Sequence, residues 1–362
     1  MNDEYWMKRA IRLAEKGRGR TSPNPMVGAV LVKAGRVVGE GYHPKAGHPH
    51  AEVFALDQAG EKARGATLYI NLEPCTHYGK TPPCAPRVIG AKVKKAVIGM
   101  KDPNPIVRGK GIKRLQRAGI EVRTGVLEGQ CQKLNEAYCK YIVEGKPFVI
   151  LKAAATLDGK IAARDGESKW ISGELSRRFV HRLRNQVDGV LVGIGTLLKD
   201  DPFLTARVKG GRDPFRIILD SQLRIPEQAK VVEHSPSKTI IATTEAAPRE
   251  KIGRLRERGV GILISDSKEG RVDLKDCLSR LGEMGFMSLL VEGGSQVNGD
   301  FLDGKLFDKL LLFLSPKLIG DPQAIGIFGG KGFKHLSDAI SLSKIRTKRI
   351  GEDILIEGYR AK

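Results

Sequence analysis

The chain has 362 residues, 41% hydrophobic and 28% charged, the balance of a soluble globular protein with room for two ordinary domains. Lysine plus arginine exceed aspartate plus glutamate by 62 − 41 = 21, but they are dispersed without interleaved aromatics, which argues against a nucleic-acid platform and suits small phosphorylated ligands. No apolar run approaches the roughly 18 residues of a membrane span, and the acidic start has no signal region, so no membrane partner and no export are expected.

In chain order, residues 3–16 place Tyr5, Trp6, Ala10, Ile11, Leu13 and Ala14 at helical spacing. The turn Thr21-Ser22-Pro23-Asn24-Pro25 leads into a buried strand over 27–32, which Gly35 turns back into 37–42. A helix over 50–59 carries His50 and Glu52 on its first turn, and a strand over 66–72 ends at Glu73-Pro74-Cys75. After Cys84 come a helix, a strand over 95–99, a helix over 110–118 and a strand over 120–124. One amphipathic helix from about 128 to 143 closes the half, with Cys131 and Cys139 about 80° apart on it as small core residues. Alternation of this kind predicts an α/β layered domain, helices covering a mixed sheet.

His50, Cys75 and Cys84 supply one imidazole nitrogen and two thiolates, a zinc set that leaves a fourth tetrahedral position open for water, as catalytic sites do. Glu52, two residues after the histidine, is placed to move protons there. Zinc deaminases of nucleobases share His-x-Glu…Pro-Cys-x-x-Cys. Here eight residues separate the cysteines, not two. Each residue alone has a plainer reading: a surface or core histidine, inert buried thiols, or a disulfide in an oxidising compartment. Five cysteines, an odd number unevenly spread, argue against a disulfide framework and for a reducing cytoplasm. Together with Glu52 and Pro74 the set favours one zinc per chain. Between the cysteines, Gly79 lets the chain turn and Pro82 and Pro83 stiffen its return, so both sulfurs can reach one metal.

The runs Ser22-Pro23-Asn24-Pro25-x-Val27-Gly28, Gly39-Glu40-Gly41-x-His43, His50-Ala51-Glu52 and Glu73-Pro74-Cys75-x-His77-x-Gly79-x-Thr81-Pro82-Pro83-Cys84 resemble the deaminase half of the bifunctional riboflavin-biosynthesis deaminase–reductase family. Asp102-Pro103-Asn104-Pro105 and Gly109-Lys110-Gly111-Ile112 extend the match, and the long cysteine spacing is what that family shows. The resemblance covers residues 1–145 and implies a cytidine-deaminase-like α/β/α domain. It also implies that Asn24, His43, His77, Lys80, Asp102 and Asn104 lie near the base and its ribose phosphate.

Val143-Glu144-Gly145-Lys146-Pro147 breaks the helical pattern and marks the domain boundary. A strand over 148–155 is apolar except for Lys152, which reads either as an edge residue reaching water or as a functional cation. A turn at 157–160, a polar loop at 168–172 and a basic helix over 174–185 follow. The strand at 189–196 ends in a glycine turn; further strands lie at 215–219, 238–242, 261–264 and 287–291. Gly193-x-Gly195 and Glu292-Gly293-Gly294 could let backbone approach a phosphate or could be ordinary turns. Neither is the dinucleotide fingerprint Gly-x-Gly-x-x-Gly with its acidic residue downstream. Beyond about 305 the chain reads as core strands.

Lys152-x-Ala154-x-x-Leu157-Asp158-Gly159, Ser168-x-Trp170-Ile171, Arg182-x-Arg184, Gly193-x-Gly195-Thr196, Asp200-Asp201-Pro202-x-Leu204-Thr205-x-Arg207, Asp220-Ser221 and Glu292-Gly293-Gly294 resemble the reductase half of the same family. The resemblance implies a dihydrofolate-reductase-like α/β domain over 148–362 that uses NADPH. By this match Ala154, Trp170, Thr196, Asp200, Ser221 and the turn Gly294, Ser295, Gln296, Val297, Asn298, Gly299 and Asp300 hold the cofactor. Ser168, Arg184, Leu204, Arg207 and Glu292 hold the substrate, with Lys152 and Glu292 as polar or acid–base support for hydride transfer.

The expected activity is therefore deamination of a phosphorylated diaminopyrimidine, then NADPH-dependent reduction of its ribosyl side chain. Expected partners are that small molecule, no nucleic acid, and a second copy of the chain in a homo-oligomer. The alternative is a zinc deaminase acting on nucleic-acid bases, with an accessory C-terminal domain.

Overall fold

Asn2 opens the first helix, α1 (Asp3–Glu15), by accepting the Tyr5 N–H through its side chain, while Trp6, Met7, Ala10, Ile11, Leu13 and Ala14 bury one face. The structure, a computed structural model, describes residues 2–78 and 82–361. The chain divides into two compact units, Met1–Gly145 and Lys146–Lys362.

In the first unit β1 (Gly28–Lys33), β2 (Arg36–Tyr42), α2 (Ala51–Ala59), β3 (Thr67–Leu72), α3 (Cys84–Gly90), β4 (Lys95–Met100), α4 (Lys110–Arg117), β5 (Glu121–Thr124), α5 (Glu128–Leu134) and α6 (Glu136–Glu144) follow in order. The sheet runs β2-β1-β3-β4-β5. β1 is antiparallel to both neighbours, and β3, β4 and β5 are parallel. It is the mixed sheet expected. Glycines let helices lie close on both its faces. A Cβ on Gly28 would come 2.1 Å from Ala10 O in α1, and one on Gly39 2.1 Å from Ala55 O in α2. Gly28 pairs with Tyr42, and Gly39 with Leu31, so the two contacts fall on opposite faces and give an α/β/α sandwich.

The helix expected over 128–143 is two helices. Asn135 breaks it at φ −108°, because its buried amide accepts the Met26 N–H and donates to the Met26 carbonyl. A buried amide must find such partners, and here they outweigh helical continuity. Cys131 and Cys139 consequently sit on different helices, the first in the core and the second packed against its edge.

The second unit contains β6 (Phe148–Thr156), β7 (Lys160–Ala162), α7 (Glu174–Arg184), β8 (Gly189–Gly193), α8 (Ile194–Asp200), β9 (Phe215–Leu219), α9 (Lys230–Glu233), β10 (Thr239–Thr243), α10 (Arg249–Glu257) and β11 (Gly261–Ile264). Then come β12 (Ser267–Lys268), β13 (Arg271–Val272), α11 (Leu274–Glu283), β14 (Ser288–Val291), α12 (Ser295–Asp303), β15 (Lys309–Ser315), β16 (Ile325–Gly326), β17 (Leu342–Ile350) and β18 (Asp353–Arg360). Nine strands form one sheet, β11-β10-β9-β8-β14-β6-β15-β18-β17, parallel from β11 to β15 and antiparallel through the last two. Alternate residues feed two cores. Val190, Val192, Ile218, Ile241 and Leu290 join one; Leu191, Ile217, Ile240, Leu289 and Val291 join the other.

Three expectations change here. No glycine turn follows β8, since α8 begins directly at Ile194. Lys152 is not on an edge, because β6 is bonded to β14 and β15. β17, beyond residue 305, is no core strand: it closes one side of the sheet with most of its residues exposed.

Two candidate active sites

His50 is the residue that starts α2, with extended backbone and its carbonyl accepting the Val53 N–H. That geometry puts its ring and the side chain of Glu52, in the first turn, at the sheet end where β3 runs out into Cys75. Cys84 starts α3, and its N–H donates to Cys75 Sγ at 3.3 Å. His50 Nδ1 lies 3.2 Å from Cys84 Sγ and 3.6 Å from Cys75 Sγ, and the three ligand atoms lie within 4.8 Å of one another. Tetrahedral zinc with ordinary Zn–N and Zn–S lengths separates such ligands by about 3.3–3.8 Å. The donor set fits zinc in number, kind and reach.

The ligand side chains polarise one another through their own hydrogen bonds. Cys75 is pulled down to about 4, first by the Cys84 thiol that donates to it and then by His50, against its burial. Cys84 moves the opposite way, and His50 is raised, chiefly by its hydrogen bond to Cys75. Glu52 is only 3% exposed, and burial lifts its carboxyl to about 7. One of its oxygens has no hydrogen-bond partner among the described residues. A buried acid that titrates near neutrality beside a ligand set is what proton relay requires.

A cavity of about 270 Å³ joins Glu52, His50 and Cys75 to Asn24, His43, His77, Asp102 and Asn104. Five of the six contact residues implied by the resemblance thus share one wall system; Lys80 lies outside the described residues. His43 Nδ1 is 3.1 Å from the Pro49 carbonyl and Nε2 is 3.2 Å from the Asn24 amide, so an Nδ1–H tautomer satisfies both. Burial lowers its pKa and keeps it neutral. Asp102 accepts from the Asn104 N–H and the Tyr138 hydroxyl, and burial raises its carboxyl to about 6. Sequence reasoning missed Tyr138 and Glu73, which also line the cavity. Glu73, beside a metal ligand in a quoted motif, carried a usable signal; Tyr138 looked like any aromatic on an amphipathic helix.

In the second unit β6 pairs with β14 so that Lys152 and Glu292 stand side by side at 3.8 Å, and α7 lays Arg184 across the carboxylate. Arg184 Nε and Nη2 donate to the two Glu292 oxygens at 2.7 and 3.0 Å, a forked pair, and Nη1 donates to the Thr205 carbonyl. Burial pushes the Glu292 carboxyl up, but Arg184 and Lys152 outweigh it and hold it below the usual range. Lys152 is lowered, by burial first, with Arg184 adding to the effect and Glu292 opposing it.

The loop carrying Leu204 and Arg207 is held in a sparsely populated conformation. Asp201, Leu204 and Arg207 have φ of 38°, 54° and 50°. The Thr205 carbonyl accepts from Arg184, and Ala206 N–H donates to Asp213. Such conformations persist only where surroundings enforce them, commonly at binding sites. Ser168 and Trp170 share a loop joined to Asp200 by the Lys169–Asp200 ion pair at 2.9 Å, and Trp170 carries Arg177 over its ring. Ala154 is on the same strand face as Lys152.

A cavity of about 960 Å³ is lined by Gly193, Gly195, Ser221, Gln296, Val297 and Asp300 together with the β12–β13 hairpin. Gly294 starts α12, whose first N–H groups have no partner within the helix and suit a phosphate. Thr196 is its neighbour: its Oγ1 is 3.7 Å from where a Gly294 Cβ would stand. Ser295 and Asn298 instead donate to the Gly326 and Ile327 carbonyls, and Gly299 packs against Gly330. These three hold the wall in place rather than face the cavity.

Both halves match known families. Residues 1–100 match the cytidine and deoxycytidylate deaminase zinc-binding region, and 147–356 the RibD C-terminal domain. Riboflavin biosynthesis protein RibD of Aquifex aeolicus is 46% identical over 98% of this chain and 97% of its own; that of Escherichia coli is 41% identical over 98% and 99%. Among solved structures, Acinetobacter baumannii RibD superposes with a TM-score of 0.91 at 39% identity, covering 99% of each chain. A Thermotoga maritima protein described as a diaminohydroxyphosphoribosylaminopyrimidine deaminase/5-amino-6-(5-phosphoribosylamino)uracil reductase gives 0.85 at 40%, with the same coverage. The chain belongs to the riboflavin biosynthesis protein RibD family, joining a zinc-dependent deaminase to an NADPH-using reductase.

Proposed function

We propose that the unit at 1–145 deaminates 2,5-diamino-6-ribosylamino-4(3H)-pyrimidinone 5′-phosphate and that 148–362 reduces the product's ribosyl side chain to ribityl. The observation carrying this reading is that His50, Cys75 and Glu52 open on the same cavity as Asn24, His43 and Asp102. Zinc held by His50, Cys75 and Cys84 supplies the Lewis acidity that makes water nucleophilic near neutral pH. Glu52 accepts one proton of the attacking water and passes it to the ring nitrogen, then carries the remaining hydroxyl proton to the departing amine, so that C–NH2 and water become C=O and ammonia. His43, with Asn24, offers neutral hydrogen-bonding groups to the base; Asp102 and Asn104 hold its polar edge.

NADPH bound in the second unit would supply the hydride that reduces C1′ of the opened imine, and the chain's own groups would bring the proton that the imine nitrogen gains. Arg184 and Arg207 hold the phosphate side, and Glu292 orients Lys152, whose lowered pKa suits proton exchange near the reacting nitrogen. Ala154, Trp170, Thr196, Asp200, Ser221, Gly294, Gln296, Val297 and Asp300 hold the cofactor, with Ser295, Asn298 and Gly299 bracing that turn from behind.

The nucleic-acid rival left the second half of the chain without a role, and the reductase match at 147–356 supplies one. Incubating the phosphorylated diaminopyrimidinone with and without NADPH tests the reading. Ammonia should form in both cases, and NADPH absorbance should fall only after deamination. Release of ammonia from RNA bases, with none from the small pyrimidine, would overturn it. Among the described residues, no helix is long and apolar enough to cross a membrane. A homo-oligomer and a cytoplasmic location complete the proposal; a monomer mass in sedimentation would remove the first.

A further inference from the structure

Glu73 has no part in the chemistry above, yet it is a carboxylate only 3% exposed, two residues before a metal ligand. Both of its side-chain oxygens meet backbone donors. Oε2 accepts the Asp102 N–H at 3.2 Å and the Gly109 N–H at 3.0 Å, and Oε1 accepts the Ile112 N–H at 3.2 Å. All three donors belong to one segment, the stretch from the end of β4 into the first turn of α4. Gly111 makes the approach possible, since a Cβ there would stand 2.2 Å from Pro74 O and 3.1 Å from Glu73 Cγ. The end of β3 therefore does two things within three residues: Cys75 joins the ligand cluster, and Glu73 clamps the segment carrying Asp102 and Asn104.

Within that segment the Val107 and Arg108 N–H groups donate to the Asn104 carbonyl and the Lys110 N–H to that of Val107, which shapes its turns. Asn104 N–H donates to the Asp102 carboxylate, Ile106 N–H to Asn104 Oδ1, and the Tyr138 hydroxyl to Asp102. These bonds fix the side chains relative to one another. Glu73 N–H donates to the Met100 carbonyl where the segment leaves β4, and the side-chain bonds of Glu73 carry that attachment along the segment as far as Ile112.

We propose that Glu73 is a positioning residue of the deaminase: it sets the distance between the substrate-contacting pair Asp102 and Asn104 and the metal-ligating end of β3. The inference rests on the proposed contact of Asp102 and Asn104 with the pyrimidine. A glutamine keeps the volume but turns one oxygen into an N–H2 group, which faces backbone donors and must push the segment away. Removing a buried acceptor in this way is expected to cost roughly tenfold in binding.

The test is a double-mutant cycle on the full chain with Glu73→Gln and Asp102→Asn, reading deaminase KM and kcat, zinc content and reductase rate. Glu73→Gln should raise KM about tenfold with kcat changed less, full zinc and an unchanged reductase rate, and in the Asp102→Asn background it should add little. Should Glu73→Gln not yield soluble protein, Glu73→Asp, which keeps the charge but retracts the oxygens by one methylene, should raise KM in the same way. Unchanged KM, loss of zinc, or full additivity in the cycle would overturn the inference. If Asp102→Asn and Asn104→Ala themselves leave KM unchanged, the contact reading fails first. If they raise it and Glu73→Gln does not, only the positioning role fails.

Discussion

Both sites lie beyond the carboxyl ends of parallel strands, where α/β sheets gather ligands, but they are made of opposite electrostatic materials. In the first unit His50, Cys75, Glu52, Glu73 and Asp102 converge on one cavity, and among its described lining residues there is no lysine or arginine. His50, Cys75 and Cys84 gather lone pairs for a cation, while Glu73 and Asp102 direct theirs to neighbouring N–H and O–H donors. In the second unit Glu292 is gripped by Arg184 and faced by Lys152, so its charge is matched before any ligand arrives. The difference teaches where each activity is vulnerable: the deaminase to loss of a ligand atom, the reductase to loss of a buried counter-charge.

The largest effect expected of this contrast is from Cys84→Ser. Metal analysis should find zinc gone and ammonia release abolished, while reductase activity on deaminated substrate persists. Zinc retained at one per chain would remove the cluster as drawn. Next, Glu52→Gln should keep zinc and lower deaminase kcat by roughly 10²–10⁴-fold, the usual worth of a general acid–base group.

Glu292→Gln probes the other material. It leaves Arg184 and Lys152 without their counter-charge, and breaking a buried pair costs about 3–5 kcal/mol. The urea midpoint for loss of reductase activity should fall, with deaminase loss unmoved. The same carboxylate predicts a pH dependence. Its folded pKa lies below the ordinary 4.5, so its stabilisation is complete above that value and is lost as pH falls through the depressed one. In wild type the reductase midpoint should therefore drop on acidification below 4.5, and Glu292→Gln should flatten that slope. The smallest effect is expected of Lys169→Ala. Its ion pair with Asp200 is exposed, worth at most about 1 kcal/mol, so KM for NADPH should rise no more than about fivefold.

How much could be read beforehand differs between the units. His50-Ala51-Glu52 and Pro74-Cys75 lie on single turns, so residue order places their side chains, and Cys84 needed only a loop able to return. Lys152 and Glu292 stood in motifs, but whether Lys152 lay at an edge or in the middle of the sheet could not be read, because strand order is not periodic. Asn135 looked like an ordinary polar position on a helix; only its burial against Met26 reveals why the helix stops.

The sequence by itself determined the alternation of strands and helices, the zinc ligand set, the acid beside it and the family. These are local: they depend on side-chain type and on spacings of a few residues. The tertiary structure alone decided which carboxylates are buried and what they face. Glu73 clamps the segment from Asp102 to Ile112, and Glu292 meets an arginine 108 positions away. A buried carboxylate and a surface one are the same letter, and the free energy that separates them, desolvation against nearby donors, exists only once the chain has folded.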